Sequence, residues 1–150
     1  MKRLLALIPA VALCAAASAQ VVPIGPFTGT ASEGFEASTT GQFTPCISPR
    51  PFNNTADLCT PGFSGAHVTG GWGFMCSLPP HSGSRLYGSA NGPSEWTFDS
   101  PAQRFGGYFA TNSGTADATV EFYNSAGTLV DTEIASVPAN CTWVWNGWQS

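Results

Sequence analysis

The sequence predicts an all-β, disulfide-stapled chain folded as a two-sheet antiparallel β-sandwich of jelly-roll type. Three observations point there. Apolar and polar residues alternate with period two between turn residues, while no stretch after Gln20 carries apolar residues at helical spacing for three turns. Gly and Pro are abundant (17 and 12 residues), and 5 Trp, 3 Tyr and 10 Phe supply a core that a disordered chain would lack. Four cysteines follow an export signal, an even number that fits two disulfides in an oxidising compartment.

The export signal is expected over residues 1–19. Lys2 and Arg3 form a basic start, an apolar run follows, and Ala17-Ser18-Ala19 supplies the small-x-small cleavage pattern before Gln20. The run is too short for a membrane span, which needs about 20 residues. Leu13, not a small residue, precedes Cys14, against a lipoprotein. Residues 20–150 then form one domain of ordinary size. That stretch holds no Lys, three Arg and nine acids, a net charge near −6, so nucleic acid and anionic membranes are poor partners.

Cys14 leaves with the signal; Cys46, Cys59, Cys76 and Cys141 remain. No Cys-x-x-Cys or nearby His pair marks a zinc site. Cys46 with Cys59 and Cys76 with Cys141 is the favoured pairing of the three possible, and closing the first loop stabilises by about 3 kcal/mol in the chain-entropy model. Pro45, Pro49, Pro51 and Pro61 leave little regular structure around that loop.

In order along the chain, short strands are expected at 32–36, 66–69 and 85–89, separated by long loops at 44–65 and 70–83. Loops of that length inside a small domain are usually functional or cross-linked. Residues 95–99 place Trp96 and Phe98 on one face against Glu95, Thr97 and Asp99. Residues 104–111 put Phe105 and Phe109 opposite Tyr108, with Gly106-Gly107 permitting a bend. Ala118, Val120 and Phe122 share a face, and Asn124-Ser125-Ala126-Gly127 closes a hairpin with 128–135, Gly127 suiting positive φ. A last strand carries Cys141, Trp143 and Trp145 on one face.

The stretch Arg104-Phe105-Gly106-Gly107-Tyr108-Phe109, the hairpin from Ala118 to Val130 and the ending Trp145-Asn146-Gly147-Trp148 together resemble exported bacterial β-sandwich proteins, many of which carry a C-terminal PEP-CTERM sorting tail. The resemblance covers about the last third of the chain. It implies a jelly-roll-like extracellular module and one more strand beyond Trp148. No Pro-Glu-Pro motif, apolar segment or basic tail follows here.

Catalysis finds little footing. Gly62-Phe63-Ser64-Gly65-Ala66 only approximates a nucleophile elbow and lacks its strand-to-helix setting, so Ser64 reads as a turn residue. His67 and His81 have no metal-binding pattern; they read as a hydrogen-bonded strand histidine and a solvated loop histidine. Glu95, Glu121, Asp131 and Glu133 are the carboxylates from which a glycosidase pair would be drawn, but alternation puts several on a solvated face. No cofactor is expected; structural calcium would draw on Glu33, Glu36, Asp57 and Asp117.

The aromatics are the most suggestive feature, because sugar rings stack their C–H faces on exposed aromatic platforms. Trp72, flanked by Gly71 and Gly73 in a loop, is the first platform candidate. Tyr87, Tyr108 and Tyr123, taken to face away from the core, come next, and Trp96, Trp143 and Trp145 are assigned to the core. The expected function is a secreted, non-catalytic binding or surface-associated module with carbohydrate as ligand. The alternatives are a structural or matrix protein making protein contacts and, third, a polysaccharide-active enzyme.

Overall fold

A computed structural model describes residues 20–41, 43–62, 65–89, 92–114 and 117–150. The expected signal at residues 1–19 and the turn residue Ser64 lie outside the described residues. The protein is all β, with eleven strands and one four-residue helical turn, Pro51–Asn54, among the described residues. That turn is too short to cross a membrane.

The strands are β1 Val22–Pro23, β2 Ala56–Cys59, β3 Ala66–Thr69, β4 Trp72–Gly73, β5 Ser77–Leu78, β6 Leu86–Ser89, β7 Glu95–Phe98, β8 Arg104–Phe109, β9 Ala118–Tyr123, β10 Leu129–Ala135 and β11 Val144–Gln149. All pairings are antiparallel, and the sheets are small and separate: β1-β11-β8, β10-β9, β2-β7, β3-β6 and β4-β5.

The clearest local structure is the β9–β10 hairpin. Asn124 Oδ1 accepts the backbone N–H groups of Ala126 and Thr128 at 2.9 and 3.0 Å, and Gly127 takes φ 75°, the left-handed backbone that glycine adopts without steric cost. A bulge between Leu129 and Asp131 then resets the register.

Two hydrophobic clusters form. Val21, Ala135, Val137 and Trp148 form the first, with Phe105 and Phe109 of β8 and Val120 and Phe122 of β9 packed against them. Ile47, Leu58, Ala66 and Val68 form the second, beneath Phe35, Tyr87 and Trp96. Leu58 is fully buried, worth about 1.5–3 kcal/mol of transfer free energy. Phe105 joins the clusters, its ring 5.6 Å from Trp96 and 5.8 Å from Phe98. Trp96 and Phe98 share a face as the alternation requires.

Both favoured disulfides are present. Cys46–Cys59 lies across an isolated antiparallel rung, while Thr44 pairs with Ala66, so the segment holding both residues knits β2 to β3. Cys76–Cys141 ties the β4–β5 turn to the turn before β11.

Several sequence expectations are corrected. Residues 32–36 form no strand: Glu33 Oε1 accepts the Phe35 N–H at 2.6 Å, Phe35 takes φ 61°, and Ser38 N–H returns to Phe35 O, which closes a turn. The two long loops contain β2, β4 and β5. Cys141 sits at φ 58° in a turn, so the last strand begins only at Val144.

Candidate functional site

The register of β8 with β11 builds the site. Trp145 pairs with Tyr108, Gly147 with Gly106 and Gln149 with Arg104, so these six residues share the outer face, opposite Trp148, Phe105 and Phe109. Trp148 is the core tryptophan, 2 % exposed. The expected core position of Trp145 is therefore overturned: it is half-buried on the other face. The two glycines decide this. A Cβ on Gly147 would stand 2.9 Å from Cζ2 and Nε1 of Trp145, and one on Gly106 2.8 Å from Cζ2. Only the absence of both side chains admits an indole edge to this face.

Around Trp145 the aromatic rings form a row. Its Nε1–H donates to Ile24 O at 3.1 Å, which ties it to the chain beyond β1. The Phe27 ring meets it edge to face at 5.6 Å on one side, and Tyr108 at 5.5 Å on another. His81 stacks on Tyr108 with centroids 3.6 Å apart and planes within 15°. Trp143 stands edge-on to His81 at 6.1 Å, its Nε1–H donating to Pro79 O at 2.9 Å. Tyr108 is 43 % exposed, and His81 is exposed beside it. Arg104 ends the row, its guanidinium 5.0 Å from the Phe27 centroid in cation–π geometry.

Two restraints hold the His81 loop. Glu36 accepts the backbone N–H and hydroxyl of Ser84 at 2.7 and 2.5 Å and the Arg85 N–H at 3.1 Å. The Ser84 hydroxyl first, then its N–H, hold the Glu36 carboxyl below its ordinary pKa. Cys76–Cys141 fixes the other flank, two residues before Trp143.

The four aromatics singled out from the sequence are not brought together. Tyr108 lies in the row. Trp72 is half-buried over Gly88, on the face of β3–β6 that carries His67, edge-on to His67 at 5.2 Å and to Phe43 at 6.2 Å. Tyr87, adjacent to Gly88, turns to the opposite face and joins the second core cluster, so its expected outward position is corrected. Burial raises the Tyr87 phenol above its usual range, opposed by the hydrogen bond to Ser94. Tyr123 is exposed on β9, outside the row, and donates to Glu121 at 2.6 Å, which raises its pKa.

His67 also departs from expectation. It stacks on Phe43 at 4.5 Å, and its Nδ1 is buried without a hydrogen-bond partner among the described residues. The acids are spread out, and most of them are engaged. Glu33 caps the N–H groups of Phe35 and Phe52, Asp57 pairs with Arg50, and Asp117 accepts from Val137 N–H. Asp131 accepts Val21 N–H on the inner side of the hairpin, while Glu121 lies on its outer side. Among the described residues no three His, Cys, Asp or Glu side chains converge as a metal site would require.

Cavities of about 220 Å³ beside Thr44 and Val68 and about 360 Å³ beside Glu33 and Asn53 have no aromatic lining. Comparison with protein-family models, curated proteins and solved structures gives no match to this chain. The functional assignment therefore rests on the geometry of the row.

The members that sequence reasoning missed are Phe27, His81, Trp143 and Trp145. The signal for Trp145 was Gly147 two residues after it, together with a glycine pair in the 104–109 strand. Two cross-strand glycines leave room for a large ring on the same face.

Proposed function

We propose that this chain is an exported, non-catalytic carbohydrate-binding module, built as a jelly-roll-like β-sandwich, whose ligand lies along the Phe27–Trp145–Tyr108–His81–Trp143 row. The carrying observation is a run of five rings in edge-to-face and stacked contact beside the outer face of β8 and β11, with Tyr108 and His81 exposed. Sugar C–H faces stack on such rings, and the adjacent Gln149 and Arg104 supply donors for hydroxyls. The first core cluster, in which Trp148, Phe105 and Phe109 meet Ala135, Val120 and Phe122, supports the sandwich architecture. The two disulfides support export through the 1–19 signal into an oxidising compartment.

Titration of soluble polysaccharides, followed by tryptophan fluorescence and calorimetry, tests the site. Tyr108→Ala is expected to weaken binding about tenfold, which corresponds to about 1.4 kcal/mol. Trp72→Ala, on a different face, is expected to leave it unchanged. No response to any polysaccharide in a broad panel would overturn the assignment.

A second reading has its own observation. Tyr123, Leu129 and Ile134 are exposed on the outer face of β9–β10, at 57, 50 and 59 %. A structural or matrix protein would use that apolar face for protein contacts. Sedimentation over a wide concentration range separates the two, since only this reading expects association without glycan.

A further inference from the structure

Taking the aromatic row as a glycan site, we infer that its ligand is an anionic polysaccharide, with the guanidinium of Arg104 receiving the charged substituent. The placement of charge carries this. The exported chain is acidic, yet the segments that build the row hold no carboxylate. Residues 20–32, 100–116 and 134–150 contain neither Asp nor Glu. Of the acids that border these segments, Glu33 caps Phe35 and Phe52, Asp117 accepts from Val137 N–H, and Glu133 stands on β10 opposite Val120. Asp99 pairs with Arg50 at 2.5 Å, and Glu36 is taken by Ser84 and Arg85 at the base of the His81 loop. The row is thus an acid-free strip on an acidic domain.

Arg104 is the one charged side chain in those segments. Arg50 is bound by Asp57 and Asp99, and Arg85 donates to Ser38 O. Among the described residues Arg104 has no carboxylate partner and no side-chain hydrogen bond, and it is exposed. The Phe27 ring lies against the guanidinium, whose N–H groups have no side-chain or backbone partner among the described residues and can make a bidentate oxyanion contact. Holding the guanidinium in place in advance lowers the ordering cost of binding.

Distance sets the ligand size. Arg104 and Tyr108 are four residues apart on β8, roughly 13 Å at about 3.3 Å per residue. A ligand engaging both spans more than one sugar ring, so a chain is required. The net negative charge of the domain does not prevent this, because exposed charges beyond about 8–10 Å are largely screened at physiological salt. The contact at Arg104 is local.

The experiment compares polygalacturonate with its fully methyl-esterified form, and dextran sulfate with dextran, on the exported chain and on Arg104→Gln and Tyr108→Ala. The esterified pair keeps the sugar backbone and removes the charge, so the comparison on the unaltered protein does not depend on any variant folding. Expected is binding of polygalacturonate, dextran sulfate or both about tenfold tighter than the uncharged counterpart. Arg104→Gln removes that preference, and added salt narrows it. Tyr108→Ala weakens charged and uncharged forms alike. Equal affinity for charged and uncharged forms, or a preference that survives Arg104→Gln, overturns the anionic assignment and leaves the glycan site standing. No binding of any polysaccharide overturns both.

Discussion

Trp145 and Gly147 occupy one another's space: the indole edge lies where a side chain at residue 147 would begin, 2.9 Å from the point its Cβ would take. The chain gives up a side chain at 147, and another at Gly106 across the rung, to seat one ring on its outer face.

Gly147→Ala follows directly. The methyl group forces Trp145 to move or the strand to shift, at a cost of about 1–3 kcal/mol typical of overpacking. Urea denaturation gives the loss, and near-UV circular dichroism reports the displaced indole. Gly127→Ala is the contrasting variant: nothing lies within 4 Å of its Cβ position, so its penalty comes from the φ of 75° alone.

The disulfides should rank by loop length. Cys46 and Cys59 are 13 residues apart, Cys76 and Cys141 65. Paired Cys→Ser variants are expected to lose about 3 and about 4 kcal/mol respectively in the chain-entropy model. Loss of the second pair also releases the turn before Trp143, so fluorescence changes at the row should accompany it and be absent for the first pair.

Acid should weaken the fold in a defined window. The Arg50 hydrogen bond holds the Asp99 carboxyl below its ordinary value, and Ser84 does the same for Glu36. A depressed folded pKa gives stability that is complete above the unfolded value of about 4 and is lost as pH falls through the folded value. Melting temperature against pH should therefore drop below about pH 4, and Arg50→Gln should make the drop shallower.

At the alkaline end the sign reverses. Burial raises Tyr87, and Glu121 raises Tyr123. A raised folded pKa gives stability that is fully present below the unfolded value of about 10 and is lost as pH rises through the folded value. Tyrosinate absorbance should show a late-ionising fraction that shrinks in both Tyr87→Phe and Tyr123→Phe; an unchanged late fraction in both would refute these placements.

What the residues disclosed in advance was the all-β class, the β9–β10 hairpin, the paired faces of Trp96 with Phe98 and of Phe105 with Phe109, and the disulfide pairing as a preference. These are local periodicities or short-range turn chemistry, which the sequence carries explicitly. The pair β4–β5 stayed hidden because two residues are too few for alternation to register, and β2 because the prolines around it read as loop. At residues 32–36 a side chain, Glu33, outcompeted strand pairing by capping Phe35.

The site was less legible for a different reason. Trp143 and Trp145 share a parity, and two tryptophans against one argue for the core by size alone. Trp148 took the core because the outer face has glycines to receive a ring and the inner face has Phe105, Phe109 and Phe122. That choice depends on which residues of β8 lie opposite, information held in the pairing and not in either strand. Tyr108 was found because its alternation with Phe105 and Phe109 is local; Phe27 and His81 come from loops with no period.

The pairing of β1 with β11 bears on mechanics. Val22 faces Gln149 and Pro23 faces Trp148, in antiparallel sense, with Ile24 N–H bonded to Gly147 O at 2.7 Å. A load applied between residues 22 and 149 pulls on adjacent ends of two strands, so the rungs break in succession, as a zipper opens, instead of sharing the force. The same neighbourhood makes those two points easy to join by a short linker, and a circularly permuted chain reopened at the Asn124–Gly127 loop would keep every strand pairing intact.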